Sequence, residues 1–249
     1  MAPRGGLAAR IRTALSDGGP LLVLRRSRQT LLRRLHEGLI ERLIRPHEPC
    51  ATAGKIDLTD VTVASPNRLA GSFYDPTPRL VIRWLLDAIA AEPETLSFID
   101  VGTGRGRVVM EAMRYPFRRV IGIEFAAELA EAAEENVASA PLTAVRARRV
   151  GIVHADATTW SPPIGSAVYF LYNPFDAAVL ARFLERICAA HQAASTSFTL
   201  IYVNPVAAHV LEARDDLKPR PLDDATRLKL TMLSPYAVAR YVFAPKNTP

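Results

Sequence analysis

The sequence predicts an α/β fold built on a mostly parallel sheet with helices on both faces. An apolar strand, a glycine-rich turn and the start of a helix follow one another over residues 98–113. A second short apolar strand, residues 120–124, ends in an acid, and further apolar strands alternate with helical segments as far as residue 203. This alternation is typical of a parallel sheet whose crossovers are helices.

The first strand contains an acid, Asp100, and is followed by a G-x-G-x-G turn. A corner of this kind brings backbone amides and a helix N-terminus close to a nucleotide-like ligand. The spacing differs from the G-x-G-x-x-G of dinucleotide sites, and Asp100 would place a negative charge beside a pyrophosphate. S-adenosylmethionine (SAM) has no phosphate and carries an ammonium group that Asp100 can bind. The predicted cofactor-binding residues here are Asp100, Gly102, Thr103, Gly104 and Gly106.

The next two strands also end in acids. Glu124 closes the second strand 22 residues after Gly102, close to the separation of about 20 residues at which an acid accepts from ribose hydroxyls. The third strand, residues 150–154, is followed by Asp156 and Ala157. We expect Asp156 to accept from an adenine amino group while a neighbouring backbone N–H faces a ring nitrogen.

A fourth strand, residues 167–171, runs into a Y-N-P-F turn at Tyr172, Asn173, Pro174 and Phe175. The carboxyl ends of parallel strands meet at one edge of the sheet, where ligands bind. We therefore expect this turn to lie beside the glycine loop.

With these motifs in place, the chain from about residue 72 onward resembles the class I, Rossmann-like SAM-dependent methyltransferases. The resemblance rests on the D-V-G-T-G-R-G loop, Glu124, Asp156 and the N-P-F turn. It implies that the loop binds the methionyl part of SAM, Glu124 the ribose and Asp156 the adenine. The turn is similar to the Asn-Pro-Pro-aromatic turn of amino-group methyltransferases, with one proline absent, and to Asn-containing turns of some protein lysine methyltransferases. The methyl acceptor does not follow from the resemblance.

The candidate catalytic residues are Asn173, Phe175 and Tyr172. The amide oxygen of Asn173 can orient an amine N–H, and the two aromatic rings can offer π faces to a developing cation. This favours nitrogen as the methylated atom, in a protein lysine or another amine. RNA or small-molecule methylation is the alternative. A non-catalytic protein that binds SAM, or docks on RNA or a membrane, is an alternative of another class, and an NAD-dependent oxidoreductase is a remote one.

The remaining elements complete a seven-stranded class I sheet. A helix with Thr77 as N-cap and Pro78 at its first position precedes the first strand, and Tyr74, in the loop before it, is expected to cover the methionyl end. Beyond the turn we expect, in order, a helix (177–190), a strand (198–203), a short helix ending near 213, and an antiparallel hairpin of 227–233 and 237–243.

All of the excess positive charge lies in the N-terminal part of the chain. The formal net charge is +6, and residues 1–48 hold ten Arg and four acids, 10 − 4 = +6. Leucines and isoleucines recur there at three- and four-residue steps between arginines, which predicts an amphipathic basic helix over about residues 24–44. We expect its apolar face to pack on the domain; the alternative is contact with an anionic RNA or membrane surface. The predicted organisation is a basic arm (1–48), a linker (49–70) and a methyltransferase domain (71–249).

Several classes of site are disfavoured by composition. Two cysteines suggest no disulfide framework and favour a reducing compartment. The five histidines show no metal-ligand spacing, and no apolar run is long enough to span a membrane. The expected location is the cytoplasm, or the mitochondrion if the acid-poor, Arg-rich start is a eukaryotic transit peptide.

Overall fold

The computed structural model describes residues 24, 26–40, 43, 52, 76–89 and 92–246. Seven described strands form one sheet in the order β3-β2-β1-β4-β5-β7-β6, in which only β7 runs antiparallel to its neighbours. This is the strand order of class I methyltransferases, so the predicted fold class is confirmed. The strands are β1 Ser97–Val101, β2 Arg119–Glu124, β3 Val150–His154, β4 Ala167–Tyr172, β5 Phe198–Val203, β6 Leu217–Pro219 and β7 Val238–Phe243.

Helices cover both faces of the sheet because the central strands are apolar on both sides. Tyr169 and Leu171 of β4 belong to one buried cluster, and Val168 and Phe170 belong to the other, as the two-residue period of a strand requires. The described helices of the domain are α1 Arg79–Ile89, α2 Arg107–Ala112, α3 Ala127–Ala138, α4 Ala177–Ala193, α5 Ala208–Glu212 and α6 Asp224–Leu233, with short 3₁₀ turns at Pro93–Thr95 and Leu142–Ala144.

A buried ion-pair network fixes α1 against α2. Glu111 on α2 is fully buried and accepts from Arg79 at 2.7 Å and from Arg83 at 2.9 Å. Arg79 is itself buried and donates also to the hydroxyl of Thr52 at 3.2 Å. Arg107, the first residue of α2, donates to the carbonyl of Thr52 at 3.0 Å. The helix α2, which follows the glycine loop, is therefore held at its first residue, Arg107, and at its fifth, Glu111.

The predicted hairpin strand at 227–233 is wrong, because these residues form the second part of α6. The Asp223 side chain accepts from the amide of Thr226 at 2.9 Å and caps the helix. Leu228 and Met232 are exposed, and Leu230 alone of the alternating apolar residues is buried. The antiparallel edge is present, but it is formed by β7 with β5 and β6.

The described part of the arm is helical, as predicted. Residues 26–35 are α-helical and lead into a π-helical turn, His36–Ile40; we call residues 26–40 the arm helix. The expectation that its apolar face packs on the domain is wrong for five leucines, which are exposed: Leu24, Leu31, Leu35, Leu39 and Leu43.

Two polar side chains of the arm helix form hydrogen bonds with the domain. The Arg28 guanidinium donates to the carbonyls of Thr231 and Met232, and His36 Nε2 lies 2.8 Å from the carbonyl of Leu233. These are the last carbonyls of α6, which have no partner within their own helix. A cation is favoured at this negative end of a helix, so the arm helix docks through hydrogen bonds there.

We expect Glu111→Gln to lower the free energy of unfolding by about 3–5 kcal/mol, because it leaves a buried arginine without its carboxylate. Urea unfolding monitored by circular dichroism measures the change. Glu131→Gln removes the same charge from an exposed position on α3 and should change stability by no more than about 0.5 kcal/mol. Equal stabilities of the two variants would contradict a structural role for the network.

Candidate cofactor and active site

The glycine loop between β1 and α2 packs directly on the Y-N-P-F turn. Gly102 has φ 75°, and a Cβ placed on it would lie 2.8 Å from the Cβ of Pro174. The amides of Gly102 and Thr103 both donate to the carbonyl of Ile123 at 2.9 Å, which holds the loop over the end of β2. The two motifs at residues 102–106 and 172–175 are therefore neighbours, as expected from the parallel sheet.

Asp100 lies at the base of this loop and is buried. Its Oδ2 accepts from the Thr103 hydroxyl at 2.6 Å. Burial raises the pKa of Asp100 from 3.8 to about 7; the Thr103 hydrogen bond lowers it, and the nearby charge of Glu124 raises it further. Among the described residues, no donor is bonded to its other oxygen, Oδ1.

Glu124 stands at the end of the neighbouring strand and is also buried. Its Oε2 accepts from the amide of Gly104 at 2.8 Å, and its Oε1 accepts from the amides of Phe125 at 3.0 Å and Ala126 at 3.1 Å. Burial raises the pKa of Glu124, and these three backbone hydrogen bonds oppose the rise. Two buried carboxylates thus flank the glycine loop.

Asp156 and Ala157 follow β3 on the far side of Glu124. The amide of Ala155 donates to the carbonyl of Glu124 at 2.9 Å, which places the two acids on adjoining strand ends. Oδ1 of Asp156 accepts from both the amide and the hydroxyl of Thr158, at 2.8 and 2.7 Å, and Ala157 is buried. Asp156 therefore stabilises its own turn as well as facing the same edge of the sheet.

The side chain of Asn173 is positioned by a residue that the sequence did not single out. Asn173 adopts φ 41°, and its Oδ1 accepts from the Tyr202 hydroxyl at 3.0 Å. Tyr202 lies in an apolar strand and is fully buried, so in the sequence it is indistinguishable from a core residue.

The rings of the two aromatic residues in the turn pack against different side chains. The Phe175 ring is half-buried and packs against Phe183 with ring centroids 5.9 Å apart. The Tyr172 ring packs against Tyr236, with centroids 5.0 Å apart, and lines a cavity. Tyr74 lies outside the described residues.

A cavity of about 600 Å³ lies between the arm helix and the loops that follow β5 and α6. An adjoining cavity of about 420 Å³ reaches Tyr172, and the two share Arg26, Gln29, Asn204 and Tyr236 in their walls. The sequence does not single out these residues as a group, because they come from segments about 180 residues apart. The one local indication is the Asn204-Pro205 pair, which ends the predicted strand at 198–203.

Within the described part of the chain, no group of three or more His, Cys, Asp or Glu side chains is placed to hold a metal ion. None of the described helices combines the length and apolarity needed to cross a bilayer.

No protein-family model and no curated protein sequence matches the chain. Solved structures do resemble it. The ribosomal protein L11 methylase from Lactobacillus delbrueckii subsp. bulgaricus is 16% identical, covering 67% of this chain and 78% of its own, with TM-score 0.44. The plantazolicin methyltransferase BpumL, solved with SAH, is 10% identical over 67% of this chain and 85% of its own, with TM-score 0.42.

A third similar structure, a putative RNA methyltransferase from Pyrococcus horikoshii, is 13% identical over 76% of this chain and 94% of its own, with TM-score 0.44. Because these TM-scores are low, the fold class rests on the strand order. By that order, this chain has the class I, Rossmann-like methyltransferase fold.

The pKa of Asp100 predicts how the stability of the ligand-free protein depends on pH. The folded state keeps a proton on Asp100 up to about pH 7, whereas the unfolded chain loses it near 3.8. Between these two pH values the folded state therefore binds more protons than the unfolded chain. The stabilisation that Asp100 contributes is fully present below pH 3.8 and is lost as the pH rises through about 7.

We expect wild-type protein to lose more unfolding free energy between about pH 5 and about pH 8 than Asp100→Asn does. Urea unfolding at the two pH values measures the difference. Asp215→Asn changes an exposed acid and should keep the wild-type dependence. An identical pH dependence in Asp100→Asn and wild type would show that Asp100 titrates normally.

Proposed function

We propose that this protein is a SAM-dependent methyltransferase that acts on an amine. The observation that carries the proposal is the pair of buried carboxylates, Asp100 and Glu124, on either side of the glycine loop at the carboxyl edge of the sheet. Burial raises the pKa of both acids. A ligand that brings positive charge and hydroxyl donors would relieve this cost.

SAM fits this donor and acceptor set. Its ammonium group can be bound by Asp100, whose Oδ1 has no donor among the described residues, and its ribose hydroxyls by Glu124. Asp156 and Ala157 are the proposed adenine contacts, and Gly102, Thr103, Gly104 and Gly106 the loop that surrounds the methionyl part. A dinucleotide would place a pyrophosphate beside Asp100, which disfavours the NAD-dependent alternative.

When bound, SAM supplies a methyl group activated by its sulfonium. The chain's part in an in-line displacement is chiefly to hold the two reactants in line and at contact distance. The close packing of Gly102 on Pro174 serves this, because it places the cofactor loop against the turn that carries the proposed catalytic residues.

Asn173 is the proposed positioning group for the acceptor nitrogen. The hydrogen bond from Tyr202 restrains its amide, and the left-handed backbone at Asn173 turns the chain at the end of β4. Tyr172, whose ring lines the cavity, is proposed to offer a π face to the ammonium that forms on methylation. Phe175, the other aromatic residue predicted for this role, packs on Phe183. An amine must arrive unprotonated to act as the nucleophile, so turnover should rise with pH toward the pKa of the acceptor.

The cofactor assignment is tested by calorimetry with SAM and with NAD. We expect SAM to bind and Glu124→Gln to weaken it at least about tenfold, since a hydrogen bond to a charged group contributes about 1.5–3 kcal/mol. Glu131→Gln on α3 is the matched control and should bind like wild type. Binding of NAD in place of SAM would overturn the proposal.

The acceptor assignment is tested with tritiated SAM on cell extract separated into protein, RNA and small-molecule fractions. On the fraction that accepts label, Asn173→Ala should cut turnover about tenfold or more and leave SAM affinity within a few-fold. Tyr202→Phe should give a smaller loss of the same kind, because it keeps Asn173 and removes the hydroxyl that restrains it; the same hydroxyl also accepts from the amide of Ala207. SAM binding without transfer to any fraction would favour the non-catalytic alternative.

A further inference from the structure

The cavity beneath the arm helix lies on the acceptor side of the proposed site. Asn204 directly follows β5 and Tyr172 ends β4, so both sit at the carboxyl edge of the sheet. The cofactor contacts proposed above come from the ends of β1, β2 and β3. Between the two groups stands the turn at Asn173, whose next residue, Pro174, packs on Gly102. The cavity therefore adjoins the proposed methyl donor across a single turn.

The arm helix forms one wall of this cavity, and its position is set by the contacts described above. Arg28 and His36 bind the final carbonyls of α6, and these contacts hold Arg26 and Gln29 over the loop that follows β5. The opposite wall carries Asn204 and Tyr236. The arm is thus part of the site's architecture.

The charge of the cavity wall is positive. Its lining includes Arg26, Arg28 and Arg227, and none of the described residues that line either cavity is an acid. Arg28 is bonded to helix carbonyls and Arg227 to Asp224 at 2.7 Å, while Arg33 of the adjoining cavity pairs with Glu37 at 2.7 Å.

Arg26 differs from these arginines. Among the described residues, no carboxylate pairs with its guanidinium. It lines both cavities beside Gln29 and Asn204, whose amides can also bind a ligand. A guanidinium with two amides nearby is suited to bind a carboxylate or a phosphate.

The volume and the apolar lining of the cavity indicate that its ligand is a small molecule. A cavity of about 600 Å³ lies within the range of about 300–1,000 Å³ that small-molecule sites occupy. Leu222, Leu230 and Val238 give part of the wall an apolar surface, while Tyr172 and Tyr236 stand at the end nearer the turn. An acceptor with an anionic group at one end and an amine at the other would span from Arg26 toward Asn173.

We propose that this cavity is the acceptor site and that the acceptor is a small amine carrying a carboxylate or phosphate held by Arg26. The inference rests on the proposed methyltransferase function and adds the class of substrate. It also assigns a specificity-determining role to the arm helix.

The test uses the full chain with tritiated SAM on the small-molecule fraction of cell extract. Before the assay, this fraction is separated into anionic, neutral and cationic pools by ion exchange at about pH 11, where an amine is mostly neutral and a carboxylate or phosphate stays charged. We expect label in the anionic pool. Treating that pool with alkaline phosphatase distinguishes the two anions: loss of acceptor activity assigns a phosphate ester, and retention assigns a carboxylate.

Arg26→Gln should raise the KM for the labelled acceptor at least about tenfold, with kcat and SAM affinity within about threefold of wild type. Arg34→Gln is the matched control, because Arg34 is exposed on the same helix and lines neither cavity. Inorganic phosphate, used as a probe in the presence of SAH, should raise the melting temperature of wild type and Arg34→Gln more than that of Arg26→Gln.

Label in a neutral, cationic, RNA or protein pool would overturn this inference and leave the methyltransferase proposal standing. The same holds if Arg26→Gln and Arg34→Gln have equal KM values. If wild-type protein does not bind SAM, the proposed function itself fails, so calorimetry separates the two failures.

Discussion

The burial of two carboxylates beside one glycine loop is the constraint on which the site depends. Asp100 and Glu124 lie near the carboxyl ends of adjacent parallel strands, so the sheet holds them close whether or not a ligand is present. Their negative charge is partly offset by the Thr103 hydroxyl and by three backbone amides around Glu124. The loop conformation, with its three glycines at positive φ, brings two of these donors into place, the Thr103 hydroxyl and the Gly104 amide. The site is therefore preorganised for a ligand with positive charge and hydroxyl groups.

The scaffold around the loop reinforces this arrangement. Glu111 and its two arginines hold α2 on α1, and Arg107 ties the start of α2 to Thr52. On the other side, Tyr202 restrains Asn173 from within the core. The polar groups that shape the site are thus fixed by interactions on both faces of the sheet.

Much of the sheet and its ligand edge could be predicted from the sequence, because buried parallel strands are short apolar runs and each of the first three strands here has an acid at or just beyond its end. The bounds expected for β3 and β5 match the structure. Residues 227–233 were misassigned because Leu228, Leu230 and Met232 alternate as in a strand. The Asp223 cap was the competing local signal. The helix that it begins buries Thr226 and Leu230, which are four residues apart and lie on one face.

The docking of the arm could not be predicted in the same way. Hydrophobic periodicity correctly indicated a helix, but the hydrogen bonds between this helix and the domain join Arg28 and His36 to carbonyls of a helix distant in sequence. No local sequence pattern indicates which side chain will bind the end of which helix. The cavity walls share this difficulty, since Arg26 and Asn204 are brought together only by the tertiary fold.

In the proposed site, Asp100 is a buried acid that ionises when SAM binds. Titration calorimetry of SAM binding at about pH 7, in buffers with different ionisation enthalpies, measures the protons exchanged. Because burial raises the pKa of Asp100 to about 7 in the ligand-free protein and a bound ammonium would lower it, binding should release protons. Asp100→Asn should reduce that release, and what remains is expected from Glu124, whose pKa is also raised by burial. Binding of SAM with no proton release, or with uptake, would contradict this role of Asp100.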